Sequence, residues 1–507
     1  MKSLDRAIGL RSLFATWLLA SCAADSVAPP PEPDMLTVTP REWAFFVGDA
    51  VRLFARVFAA DGREIEGAKV VWSSSDEAVA SVDEDGGVTA HGQGIVHIVA
   101  SVSALSDTST IQVNPAAAVN HRINSRTAYP DQEEPFIVVD RQGRLFAVWK
   151  EMPFPAGVAR VAFSHSSDGG ASWSPTVLLD NHPDTELEEG QSDPWLAVDQ
   201  LGRIYFARLE DYIPGRVVVS RSDDWGLSWS SPVEVRDRRG RVDKPSLLVD
   251  SDGRVFLAYH GEFTREGLVD AVVAWSTDGG RSWSPTVRMD SSDAVADQAS
   301  IAPVLAVAPD GTMYAAWWSR PESDIRAAVS LDRGATGGDR VRVNPTSRTV
   351  LHKWRGATRP PFPSIAVDPN GRVFVAWPNW TSEHDKDVLV AWSDDRGVSW
   401  SSPVRINDAA REDQWMVALA ADRQGTLHAA WYDSRTGNIN LVYAKSSDRG
   451  RTWSTNLRIT TQATPGPVTR LGDYIGMAVG DDGTVYLVWT DGRGADLDIY
   501  FAASTEF

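Results

Sequence analysis

The sequence predicts an all-β chain, a seven-bladed β-propeller over residues 115–507 preceded by a small β-sandwich over residues 36–114. Three observations predict it. A turn motif, Ser-x-Asp-x-Gly-x-Ser/Thr-Trp, recurs in full five times. A second unit, an apolar strand, a Gly turn and another apolar strand, recurs seven times. The stretch before the repeats alternates apolar and polar residues with the period of two that a half-buried strand requires.

The turn motif occupies Ser166 to Trp173, Ser222 to Trp229, Ser276 to Trp283, Ser393 to Trp400 and Ser446 to Trp453. A sixth copy, Ser330 to Gly337, lacks the Trp. Copies start 56, 54, 54, 63 and 53 residues apart. The turn glycines of the second unit are Gly143, Gly202, Gly253, Gly311, Gly371, Gly425 and Gly483. Adding a third strand such as Val388 to Trp392 and a short fourth such as Val404 to Ile406 gives four strands per repeat, the content of one propeller blade. A lone blade cannot bury both faces, whereas a ring of blades can. The last copy stops before its fourth strand, and His121-Arg122-Ile123-Asn124 matches Val404-Arg405-Ile406-Asn407. That segment is expected to complete the last blade and remove the exposed edge.

In each turn the Asp carboxylate can accept bonds from turn amides, so these aspartates read as structural. The motif resembles the Asp box of sialidase-like, BNR-repeat propellers over about three quarters of the chain. The resemblance implies a glycoside hydrolase of exo-α-sialidase type, with arginines gripping a sugar carboxylate, a Tyr nucleophile supported by Glu, and an Asp acid/base. The chain differs from family sialidases in having seven copies, and in Arg122-Ile123-Asn124 where they carry Phe-Arg-Ile-Pro.

The N-terminus reads as an export signal: Lys2, Arg6 and Arg11, then a short apolar stretch ending at Leu19-Ala20-Ser21-Cys22. The last four residues resemble a bacterial lipobox, which implies cleavage after residue 21 and lipidation of Cys22. Cys22 is the single cysteine, so no disulfide can form within the chain. Residues 22–35, with Pro29-Pro30-Pro31, read as a stiff tether. The stretch from Val70 to Ala100 resembles bacterial Ig-like domains, which implies a spacer or weak adhesion role, with Trp72 in the core. These readings place the protein on a bacterial cell envelope, periplasmic or surface-exposed, with a membrane partner only through Cys22.

The formal charge is −19, and loss of residues 1–21, with three basic residues and one acidic, leaves about −21. An acidic chain without a basic block excludes nucleic acid as a partner class. The nine His form no His-Glu-x-x-His pattern and no phosphate loop is present, so neither a metal nor another cofactor is expected. The expected partner is a glycan or glycoprotein, and the expected state a monomer.

Chemistry is expected where polar segments before the first strands and between second and third strands converge on the channel mouth. Arg359, Arg411 and Arg470 stand 12, 14 and 13 residues before their turn glycines and form a candidate anion site, with Arg435 and Arg493 from neighbouring loops. Guanidinium suits a carboxylate because its planar donors pair bidentately. Asp413, Asp433 and Asp473 are the candidate acid/base residues and Tyr474 the candidate nucleophile, with Asp193 and Glu210 further carboxylates on the same rim. Trp195, Trp380 and Trp415 can stack on sugars or fill the core. The alternatives to a hydrolase are a non-catalytic module that binds surface glycan or protein, and a structural role.

Overall fold

The computed structural model describes residues 31–507 apart from 118, 126–128, 153–157, 180–189, 211–214, 236–241, 263–268, 290–298, 321–322, 345–351, 355–356, 360, 381–385, 409–411 and 467–470. Signal and lipobox residues, Cys22 included, therefore lie outside the described residues. All regular structure among the described residues is β.

The N-terminal unit opens with Pro33–Thr39, which pairs with Phe54–Ala59. The strand thus begins inside the stretch expected as tether, because Pro33 already lies opposite Ala59. A four-stranded sheet follows, Glu42–Phe46, Leu105–Asn114, Gly94–Val102 and Val71–Ser74, with a three-stranded one of Ala50–Arg52, Gly87–Ala90 and Ala80–Val82. Alternating side chains such as Val96, Ile98, Ala100, Ile111 and Val113 fill the space between the sheets, and Trp72 packs on their edge. His91 and His97 are exposed.

From residue 121 onward, four-stranded antiparallel sheets follow one another. Their first strands are Asp131–Val139, Gln191–Val198, Val242–Val249, Ala299–Val307, Ser364–Val367, Gln414–Ala421 and Gly476–Val479. The third and fourth of these sheets join edge to edge through one pair, Val269 and Ala299. Second strands such as Val373–Trp380 and Leu427–Asp433 are buried along their whole length, as a strand packed on both faces must be.

The Ser-x-Asp turns link one sheet to the previous one. Asp168 Oδ1 accepts from Ser172 N–H (2.9 Å) and Ser166 Oγ–H (2.8 Å), and Ser166 Oγ accepts from Gly170 N–H (2.9 Å). The same bonds recur at Asp224, Asp278, Asp332, Asp395 and Asp448. The Trp-less sixth copy thus keeps its polar scaffold. At Gly226 (φ +86°) the turn lies against the Phe163 ring of the preceding sheet, where a Cβ would come within 2.3 Å.

His121–Arg122 pairs with Asp498–Ser504 as the fourth strand of the last sheet, as the sequence implies. Ile123 N–H donates to Ile499 O (2.9 Å), and Asn124 Nδ2 reaches both Asp498 (2.7 Å) and Gln132 (3.0 Å). Trp173 of the first sheet meets Phe501 of the last edge-on at 5.2 Å.

The Ig-like unit is bolted to the repeat region. Phe46 is fully buried in a cluster with Ile406, Trp431 and Val442. Arg458 pairs with Asp49 and donates to Val47 O (2.8 Å), and Asn114 Nδ2 donates to Asp408 Oδ2 (2.9 Å).

Candidate functional site

A cavity of about 250 Å³ is lined from every first strand: Phe136, Trp195, Lys244 to Leu247, Ala302 to Leu305, Phe362 to Ile365, Met416 to Leu419 and Asp473 to Met477. A local break in pairing shapes its mouth. The first strands slip register between Glu133 and Phe136, Ser192 and Trp195, Asp243 and Ser246, Ile301 and Val304, and Trp415 and Ala418. At each slip one residue adopts the left-handed region: Glu134 (φ 57°), Asp193 (50°), Lys244 (54°), Ala302 (52°) and Met416 (54°). Such bulges bend a strand and re-aim a side chain, and non-Gly residues in this region cluster at functional sites. In the sequence each bulge residue stands nine places before its turn glycine, as do Phe362 and Tyr474.

The mouth is consequently two-sided. Ala302, Phe362 and Met416 give an apolar arc. Lys244, Asp473 and Tyr474 give a polar one, with Glu134 and Asp193 clustered against Asp473. Carboxylate oxygens of Glu134, Asp193 and Asp473 lie within 4.8 Å of one another. Lys244 Nζ pairs with Asp193 and lies 2.5 Å from Asp473 Oδ2. Asp193 N–H donates to Glu134 Oε2 (3.2 Å), and Lys150 Nζ lies 3.2 Å from Glu133 and 3.7 Å from Glu134. Gly472 (φ +76°) allows the last strand this close, since a Cβ there would stand 2.7 Å from the Glu134 nitrogen. Tyr474 hydroxyl donates to Pro194 O (3.1 Å), and its ring packs at 5.6 Å from Trp195, which stacks on Phe136 at 4.1 Å.

The electrostatics divide these groups by role. Burial pushes the Glu134 carboxyl up to about 8 against the opposing pull of Lys150, so it carries a proton at neutral pH. Burial and the nearby Asp193 charge push Asp243 up to about 6. Burial also acts on Asp193, but Lys244 and Lys150 outweigh it and hold that carboxyl below its usual value. Burial opposes the Lys244 charge, yet Asp193, Asp473 and Glu134 keep it well above an ordinary lysine. Burial, with Glu134 and Asp193, raises the Tyr474 phenol well above its ordinary value.

Asp473 and Tyr474 are therefore brought together at the cavity, with Asp193 buried against Asp473. Other candidates stand elsewhere. Asp433 and Arg435 are fully buried and bind each other, Arg435 Nη2 to Asp433 Oδ2 at 2.7 Å. Arg435 also donates to Asp408 (2.6 Å) and Asn456 (2.9 Å) and lies over the Phe46 ring at 4.9 Å, so its donors serve the seam with the Ig-like unit. Arg493 donates to Asp491 (2.6 Å), Thr461 and Asn120 and covers Tyr500 at 4.0 Å. Asp413 is buried where its N–H donates to Ser434 Oγ (3.0 Å). None of these four lines the cavity. Glu210 pairs with buried Arg208, and Trp415 and Trp380 belong to a core cluster. Arg411 and Arg470 lie outside the described residues, as does the side chain of Arg359. Glu134 and Lys244 stand in the polar segments before the first strands that the sequence places at the mouth, although neither is singled out there as a candidate. The signal was present as the prolines that follow at Pro135, Pro194, Pro245, Pro303 and Pro363, since proline inside a strand marks a bulge.

Fold and site together define an all-β protein in which an Ig-like domain is mounted on a repeat of four-stranded sheets, with a largely apolar cavity that has Asp473, Lys244 and Tyr474 at one end. Residues 34–113 match the Bacterial Ig-like domain (group 2), and the N-terminal domain belongs to that group. The chain is similar to a sialidase of Micromonospora viridifaciens, 22% identical over 360 residues, covering 63% of this chain and 53% of that protein. The match thus spans about half the length of that relative. Among solved structures it is similar to the Hadza microbial sialidase Hz136 (16% identity, TM-score 0.47, 73% of this chain and 75% of that one). It is likewise similar to an alpha-L-arabinanase of Penicillium chrysogenum complexed with arabinobiose (16% identity, TM-score 0.46, 77% and 98%).

Proposed function

We propose that this chain is a sialidase-like glycoside hydrolase, held at a bacterial cell envelope and acting on an acidic glycan. The observation that carries this reading is the cluster that buried Glu134 and Asp193 form with Asp473, which lines one end of the cavity beside Tyr474. Glu134, protonated near neutrality, gives its proton to the glycosidic oxygen. Asp473, the most exposed carboxylate of the three, attacks the anomeric carbon, and water activated by the Glu134 carboxylate then releases the sugar. Carboxylate oxygens within 4.8 Å suit this retaining route, because an inverting pair stands roughly 6.5–9.5 Å apart to admit a water. Tyr474, whose proton is firmly held, orients the sugar beside Trp195.

Arg359, Arg411 and Arg470 are the proposed grip on the substrate carboxylate. The pairing of His121–Arg122 with the last sheet supports a ring of seven blades closed at that point. The envelope location rests on the N-terminal residues up to Cys22. Labelling with a radioactive fatty acid should mark the wild type and spare Cys22→Ser.

The test is hydrolysis of a panel of aryl sialosides, aryl uronides and acidic polysaccharides by wild type and Glu134→Gln. Turnover of an acidic glycoside that Glu134→Gln loses supports the reading; turnover of neutral glycosides alone contradicts the substrate class. Titration of wild type and Arg411→Lys with sialylated and uronic-acid glycans tests the grip, since lysine lacks the bidentate fork. A second reading, a non-catalytic glycan-binding module, is favoured by the prior engagement of Asp193 and Asp473 with Lys244 and of Tyr474 with Pro194 O. Binding without turnover across the panel would select it.

A further inference from the structure

We propose that Lys244 is a positioning residue acting as a tethered cation, its ammonium holding Asp193 and Asp473 together where a free divalent cation would otherwise bind. The geometry stands by itself, and the effect on turnover rests on the hydrolase reading above.

The oxygens of Asp193, Asp473 and protonated Glu134 lie inside 4.8 Å, and the two charged aspartates repel one another unless a cation lies between them. Oxygen-rich clusters of this kind are ligand sets for hard divalent ions. Here the protein supplies the cation itself, as the Lys244 side-chain ammonium. The bulge at Lys244 (φ 54°) sends the side chain across the mouth, past the Phe362 ring at 5.9 Å, to Asp193 of one sheet and Asp473 of another. Those two aspartates are 280 residues apart in sequence, and one ammonium fixes their spacing. Among the residues nine places before the turn glycines, Lys244 is the one cation; the others are Glu134, Asp193, Ala302, Phe362, Met416 and Tyr474. The charged groups that face it are Glu134 and Lys150 from the first sheet, Asp193 from the second, Asp243 from its own strand, and Asp473 with Tyr474 from the last. Two lysines against this many carboxyls leave the cluster acidic, so removal of one ammonium should open it to an outside cation.

The experiment uses the full chain as wild type, Lys244→Ala, Lys244→Met and Lys244→Arg, each checked for folding by thermal melting. Terbium binding is read by luminescence sensitised through Trp195, whose ring lies 5.6 Å from Tyr474, and is repeated with calcium as competitor. Lys244→Ala and Lys244→Met should bind terbium about tenfold or more tightly than wild type, and Lys244→Arg should resemble wild type. On an acidic glycoside that the wild type turns over, Lys244→Ala should lower kcat by about 10–100-fold with KM little changed, and Lys244→Arg should restore part of it. Equal terbium affinity in all four proteins would overturn the proposal, as would Lys244→Arg binding terbium as tightly as Lys244→Ala. The luminescence arm needs no turnover, so failure of the hydrolase reading would show as absent activity in wild type while the gain of terbium binding persisted. Lys244→Met serves the same purpose should Lys244→Ala not fold.

Discussion

Five sheets of the repeat region carry both a Ser-x-Asp turn and a bulge in the first strand, and the two features differ in one informative way. The Ser-x-Asp turns at one end have the same residues and bonds from sheet to sheet: Ser166 and Asp168, Ser222 and Asp224, Ser276 and Asp278, through to Ser446 and Asp448. The bulges at the cavity end share a backbone shape, yet their residues are Glu134, Asp193, Lys244, Ala302 and Met416. A backbone solution repeated with one chemistry serves the fold. The same solution repeated with different chemistries builds a site, because each position then meets a different part of one ligand. Left-handed φ at a non-Gly residue costs of order 1–3 kcal/mol, and both ends carry it, the turns at Trp225, Arg333, Arg396 and Arg449 as well as the bulges.

The largest effects should come from breaking the cavity end. Glu134→Gln and Asp473→Asn should each lower kcat by roughly 10²–10⁴-fold on an acidic glycoside, the usual worth of a positioned proton donor or partner, with melting nearly unchanged. Steady-state kinetics on the panel substrate checks this.

Next in size is the seam with the Ig-like domain, which belongs to neither end. Phe46→Ala should cost about 3–5 kcal/mol, the range for truncating a buried Phe, since Phe46 is fully buried among Ile406 and Trp431. Calorimetry should then show the N-terminal domain melting apart from the repeat region.

The pH dependence separates the two ends by sign. Glu134 is raised to about 8 when folded, so the fold binds an extra proton between about pH 4.3 and 8. Its contribution is complete below about pH 4.3 and is lost as pH rises through 8. Glu134→Gln should flatten that decline in urea unfolding. The turn aspartates act in the opposite direction. Side-chain and backbone bonds from Ser172, and from Ser399, hold Asp168 and Asp395 down to about 2. Their contribution is present above about pH 4 and is lost as pH falls through 2. The smallest effect is expected from one such turn: Asp448→Ala should cost about 1 kcal/mol with kcat unchanged, as loss of local side-chain-to-backbone bonds does.

The turn end was legible in the sequence because its information is local. Ser, Asp and Gly fall within five residues, and five copies reinforce the reading. The strand His121–Arg122 was legible by likeness to Val404 and Arg405, although its partner lies nearly 380 residues away. The cavity end was only half legible. Asp473 and Tyr474 emerge from convergence of polar segments, but period-two reasoning cannot see a bulge, so Glu134 and Lys244 are not distinguished from the rest of those segments. Asp433 and Arg435 read like rim residues because a polar loop ordinarily faces solvent. They are buried because Phe46 of a separate domain covers Arg435, a contact no local pattern encodes.

The most direct measurement of the difference between the two ends pairs one residue from each. Asp473→Asn and Asp448→Asn change the same functional group by the same isosteric step. Activity on an acidic glycoside and melting temperature should be measured for both beside wild type. The account predicts that Asp473→Asn loses about 10²-fold or more in kcat and keeps its melting temperature, while Asp448→Asn keeps its kcat and melts lower. Loss of activity in Asp448→Asn with full activity in Asp473→Asn would contradict it.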